Sequence, residues 1–158
     1  MNKKKLCCFY VNDIHLITML LPYINKRINE NTEVVTILEK DISESAKKVM
    51  DSIQGKKSKK LLNVDWKSKK LSYLYESDIK NKLILINGEE KFIKEANIII
   101  NNREENCTIL NCYEMMQASS KLQEILDTHD KVVNTAGEKN PEEVFTGYMP
   151  KIYKKITL

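Results

Sequence analysis

Six side chains in this sequence have the chemistry of nucleophiles or metal ligands: Cys7, Cys8, Cys107, Cys112, His15 and His129. A thiol beside an imidazole is an activated nucleophile, and a mixed sulfur and nitrogen set holds zinc. The spacing supports neither. Cys7 and Cys8 are adjacent, so on a strand they face opposite sides of a sheet. Cys107 and Cys112 span most of a strand, and Cys7 or Cys8 meets Cys112 only if their strands are neighbours. His15 reads as a helix cap or surface residue, and His129 as a helix C-terminal residue favoured by the macrodipole. Buried free thiols are the commoner fate of such cysteines. No catalytic residue, metal site or cofactor is assigned.

Phosphate chemistry is excluded more firmly. The turn after the first apolar run is Val11-Asn-Asp-Ile-His15, with no Gly-x-Gly-x-x-Gly and no Gly-Lys-Ser/Thr. Close backbone approach to a phosphate is therefore not available there. The lysines from Lys56 to Lys70 (Lys56, Lys57, Lys59, Lys60, Lys67, Lys69 and Lys70) form one basic run. Such runs are usually solvated faces. As a nucleic-acid contact this one has only Trp66 for stacking, so nucleic acid is a weaker alternative partner.

These residues need elements to position them. A chain of 158 residues suits one domain, large enough to bury roughly 68–70% of its unfolded surface without staples. Hydrophobic residues make up 42% and charged residues 30%, a globular balance. No run approaches the ~18 apolar residues of a membrane span, and the start carries no signal-peptide pattern. The expectation is a cytoplasmic protein with reduced thiols.

Leu6-Cys-Cys-Phe-Tyr-Val11 reads as a buried strand. Asn12 and Asp13 can cap a helix carrying Leu16, Leu20, Ile24 and Ile28, with Pro22 kinking it or starting a new turn. Glu33–Leu38 is a β-branched second strand, and a helix from Asp41 buries Ala46, Val49, Met50 and Ile53. Leu61–Val64 suggests a short strand and residues 71–80 a short helix. Lys82–Ile86 is the clearest strand, followed by the Asn87-Gly88 turn and a helix with Phe92, Ile93, Ala96, Ile99 and Ile100. Cys107–Leu110 is the next strand, then a helix over 115–127 with Met115 and Met116 in the core, then extended chain at Val132-Val133. The main domain is placed at residues 1–134, and 135–158 reads as a partly irregular C-terminal extension.

Strand–helix alternation implies a three-layer α/β sandwich with a mostly parallel sheet and right-handed crossovers, of Rossmann-like or degenerate RecA-like layout. Ligands of such sheets sit beyond the carboxyl ends of the strands. That rule selects the segments Tyr10–Asp13, Glu39–Asp41, Asn87–Glu90 and Asn111–Glu114.

Three ordered motifs resemble a known family. Leu6-Cys7-Cys8-Phe9-Tyr10 followed by Leu20-Leu21-Pro22-Tyr23-Ile24, then Asn87-Gly88-Glu89, then Thr108-Ile-Leu-Asn-Cys-Tyr113-Glu114 with Thr128-His129, are together similar to the MEDS domains (methanogen/methylotroph sensory domains, as in the dichloromethane-operon repressor). The likeness spans most of residues 5–133. The family's leading His is Lys5 here, and its late Cys falls on Asn111, with Cys112 one place on. The resemblance implies a RecA-like fold without a working phosphate loop. It also implies a sensory or regulatory domain that binds a small organic ligand and signals to a partner, such as a regulator or a kinase; a homodimer is a separate expectation. Cys7, Tyr10, Asn87, Glu89, Tyr113 and His129 are the candidate ligand-site residues. The alternative is a small enzyme using a cysteine thiol or a carboxylate.

Overall fold

The structure is a computed structural model that describes residues 3–53 and 63–150. In chain order the elements are β1 (Lys3–Tyr10), α1 (Asp13–Asn29), β2 (Val34–Leu38), α2 (Ser43–Ser52), α3 (Tyr73–Glu76), β3 (Leu83–Asn87), α4 (Glu90–Asn101) and β4 (Cys107–Glu114). After β4 come α5 (Met115–Ala118), a 3₁₀ turn (Ser119–Lys121), α6 (Leu122–Asp127), β5 (Lys131–Asn134), β6 (Gly137–Lys139) and α7 (Pro141–Val144).

One six-stranded sheet has the order β2-β3-β4-β1-β5-β6. The first five strands are parallel and β6 pairs antiparallel with β5. Helices cover both faces, which makes the three-layer sandwich expected from the alternation. On one face α1 and α2 bury Leu16, Leu20, Ile24 and Val49 against Leu6, Leu83, Leu85 and Leu110. On the other, α3 and α4 bury Leu74, Ile93 and Ile100 against Ile37, Ile84, Ile86 and Ile109, while Leu126 of α6 packs with Cys7 and Phe9. Burial on both faces explains why β3 reads Leu-Ile-Leu-Ile without a polar break. Each such core side chain contributes roughly 1.5–3 kcal/mol.

Several local expectations change. α1 runs unbroken through Pro22, which sits on the exposed side, where water can satisfy the carbonyl that loses its donor. β4 extends to Glu114, so Asn111 and Cys112 are buried strand residues and not a loop. The expected 115–127 helix breaks into α5, the 3₁₀ turn and α6, because Ser119 and Ser120 are weak helix formers at its middle. Met116 is 86% exposed, not core, and Ile53 is 38% exposed. Of the short strand expected over Leu61–Val64, Leu61 and Leu62 lie outside the described residues; Asn63 and Val64 are not in a strand. Instead, the Thr36 hydroxyl donates to the Asp65 carbonyl and the Lys69 amide donates to the Leu38 carbonyl, which docks this segment against β2.

The C-terminal residues are more ordered than their composition suggests. Glu138 on β6 accepts a hydrogen bond from the Tyr23 hydroxyl (2.7 Å) and pairs with Lys4. Phe145 stands edge-on to Phe9, centroids 5.3 Å apart. The segment up to Tyr148 therefore packs on the sheet, and the boundary at residue 134 marks no break in the fold.

Candidate functional site

Strand alternation divides the six candidate residues between the two sheet faces. Tyr10 and Asn87 point to the α1 side, with Glu89 just beyond the end of β3. Cys7, Tyr113 and His129 lie on the α4–α6 side. Among the described residues, one pocket holds Tyr10, Asn87 and Glu89 and another holds Tyr113 and His129.

On the α4–α6 side the polar groups satisfy one another. Asn97 on α4 and Asn111 on β4 exchange two amide hydrogen bonds, 2.8 and 3.1 Å. Asn97 gives its second proton to the Ile93 carbonyl (2.8 Å). Asn111 gives its second proton to His129 Nε2 (3.0 Å), while His129 Nδ1 donates to the Ile125 carbonyl (2.6 Å). That carbonyl can only accept, so the neutral Nδ1–H tautomer follows. Burial lowers the His129 pKa to about 4, against a weaker opposing effect from the Ile125 bond. Both ring nitrogens are thus engaged by the fold. Tyr113 lies edge-on to the imidazole, centroids 5.9 Å apart, and stacks with Phe9. A groove of about 220 Å³ above this network is rimmed by Lys5, Lys94 and Lys121 among others.

The thiols offer little reactivity. All four cysteines are buried and free. Burial pushes the Cys7, Cys8 and Cys107 thiols up, away from the reactive thiolate. β1 and β4 are neighbours with Cys8 opposite Cys112, both on the α1 side and fully buried. Neither imidazole hydrogen-bonds a thiol among the described residues. His15 accepts from the Val11 amide (2.9 Å) and closes the turn before α1. No group of three His, Cys, Asp or Glu side chains among the described residues could hold a metal ion.

The α1 side carries a cleft at the carboxyl edge of the sheet. It encloses about 280 Å³ between the tips of β1, β2, β3 and β4. Its floor is Tyr10 and Asn87, only 6% and 2% exposed. The Asn87 amide nitrogen donates to the Tyr10 hydroxyl (2.6 Å) and to the Cys112 carbonyl (3.3 Å). Because the carbonyl can only accept, the amide orientation is settled. The Tyr10 oxygen therefore receives a proton, and among the described residues nothing accepts its own; Asn87 Oδ1 likewise has no donor. Burial pushes the Tyr10 phenol up to about 12, although the Asn87 bond opposes the rise, so it stays protonated.

Glu39, Glu89 and Glu114 form the walls, with Lys40, which is paired to Asp13 at 3.2 Å. Glu39 Oε1 accepts from the Glu89 amide (2.7 Å) at the mouth of α4. This close approach needs Gly88: a Cβ there would lie 2.8 Å from Glu39 Oε1 and 2.6 Å from Phe92. The α1 end is closed in the same way, by Asn12 accepting from the His15 amide (2.9 Å). A phosphate approaching α4 would meet the carboxylates of Glu39, Glu89 and Glu90. The missing glycine motif and the filled helix ends thus agree. Sequence reasoning named Tyr10, Asn87 and Glu89; Glu39, just after β2, and Glu114, the last residue of β4, fell within the strand-end segments it selected but were not named as ligand-site residues.

Two wider depressions, of about 470 and 590 Å³, lie by Asn31–Val34 and by Tyr73–Ser77. Their polar linings are mostly exposed side chains. Of the basic run, Lys56, Lys57, Lys59 and Lys60 lie outside the described residues. Lys69 is half-buried, paired with Asp65 at 3.6 Å and placed over the Tyr73 ring at 4.9 Å.

No helix among the described residues is long and apolar enough to cross a membrane. No family model matches the chain, and comparison with curated proteins and with solved structures finds no match either.

Proposed function

We propose that this chain is a sensory or regulatory domain that binds a small organic ligand in the carboxyl-edge cleft and reports its occupancy to a partner protein. The Tyr10–Asn87 pair carries the reading. Two nearly buried polar side chains are fixed by each other and by Cys112, and each keeps one hydrogen-bonding position without a partner among the described residues, open to the cleft. A few placed polar groups at a cavity wall are what orient a small ligand. The cleft lies where parallel α/β sheets place ligands, and its described lining has no thiol, imidazole or phosphate cradle. The ordered MEDS-like motifs agree, since their first and second members supply Tyr10 and Asn87.

The test is a metabolite screen read by thermal shift and by amide NMR. A ligand that raises the melting point and moves the Gly88 and Glu89 resonances is expected. Tyr10→Phe and Asn87→Ser should weaken that ligand about tenfold, the loss of one or two hydrogen bonds in a desolvated site. A wide screen that never moves a cleft resonance would defeat the reading.

A further inference from the structure

Resting on the cleft as the ligand site, we infer that its ligand is an organic cation, an ammonium held by the carboxylates of Glu39, Glu89 and Glu114 over the Tyr10–Asn87 floor. Three carboxylates line a space of about 280 Å³, and the lysine among them is already tied to Asp13. The floor adds one acceptor, Asn87 Oδ1, and one donor, the Tyr10 proton, each on a side chain more than nine-tenths buried. Taken with the walls, the cleft is rich in acceptors. An ammonium offers only donors.

The competing charged ligands fit less well. Phosphates and carboxylates would meet three like charges around the cleft, where the lysine among the lining residues is paired with Asp13. A metal ion needs its ligands converged on one point, and no three acidic, His or Cys side chains are close enough among the described residues. Carboxylates that surround a cavity without converging suit a ligand with several atoms between its donors. The cleft lies just below the usual range of roughly 300–1,000 Å³ for ligand pockets, which points to a small amine. The single Tyr10 proton remains to donate to a hydroxyl or carbonyl oxygen on the same molecule.

Matched probes decide this. Butylamine and putrescine, butanol and butanediol, butyrate and succinate are titrated against the whole chain by NMR, at low and at high salt. The amines should move the Gly88 and Glu89 amides and the Asn87 side-chain resonances, more weakly at high salt. Glu114→Gln, at a half-exposed position, should weaken the better amine about tenfold. Circular dichroism of that variant checks folding, and Glu89→Gln serves as the second charge removal. Amines that leave the cleft unmoved, or bind both variants as well as the parent, overturn the inference. A diol or dicarboxylate that binds where amines do not also overturns it, while leaving the cleft as a ligand site. The broader reading falls only if the wide metabolite screen fails as well.

Discussion

The Asn87 amide reaches across β4 to the Tyr10 hydroxyl, 2.6 Å away, although β3 and β1 are not neighbours in the sheet. It clears the intervening strand by also donating to the Cys112 carbonyl beneath it. One side chain thus ties three strand tips together. Replacing Asn87 with Leu leaves the buried Tyr10 oxygen and the Cys112 carbonyl without their donor. A loss of about 1–3 kcal/mol is expected in urea unfolding. Tyr10→Phe should cost less, about 1 kcal/mol, and the double variant should fall short of the sum.

Gly88 and Glu39 form the second relationship worth testing. A methyl group at residue 88 would press on the Glu39 carboxylate and on Phe92. Gly88→Ala should lower the melting point and release Glu39 from the Glu89 amide. Glu39→Ala removes the same bond without the clash and should cost about 0.5–2 kcal/mol, as other helix-cap deletions do. Equal stability of Gly88→Ala and the parent would contradict the close approach.

His129 makes stability depend on pH. Its folded pKa is lowered to about 4 by burial, against about 6.5 in the unfolded chain. Between these values the unfolded state binds a proton that the folded state does not, so stability rises with pH. Its contribution is complete above about pH 6.5 and is lost as pH falls toward 4, up to about 3 kcal/mol. His129→Gln, compared with the parent over that window, should flatten the difference. Imidazole NMR should show the neutral Nδ1–H form at pH 6. A histidine titrating near 6.5 in the folded protein would refute this.

The thiols should be inert in the folded chain. With all four cysteines buried, iodoacetamide at neutral pH is expected to label them slowly, and quickly once urea is added. Fast labelling of one cysteine in the native protein would reopen the thiol-enzyme alternative.

The C-terminal segment should prove integral. Truncation after Asn134 removes Glu138 from Tyr23 and Lys4, and Phe145 from Phe9. A melting point lowered by several degrees is expected, with a smaller loss for Glu138→Ala. A truncated chain as stable as the whole would mean that the strand β6 contributes nothing.

Much of the architecture was legible along the chain. β-branched runs such as Val34-Val-Thr-Ile-Leu38 and helical stripes such as Leu16, Leu20 and Ile24 declare their elements, because burial has a period that sequence shows directly. Alternation already placed Cys7 and Cys8 on opposite faces, and the lack of glycines after Val11 already excluded a phosphate cradle. What lay outside local pattern was the order of the strands and the fate of polar residues. β4 falls between β3 and β1 only through crossover packing, and this sets Asn87 over Cys112 and beside Tyr10. The same folding turned His129 inward to Asn111, closed the Asn97–Asn111 pair and divided six candidate residues between two faces. Periodicity reports which side of its own element a residue occupies; which other element lies opposite is decided by contacts between distant segments, and those exist only in the folded chain.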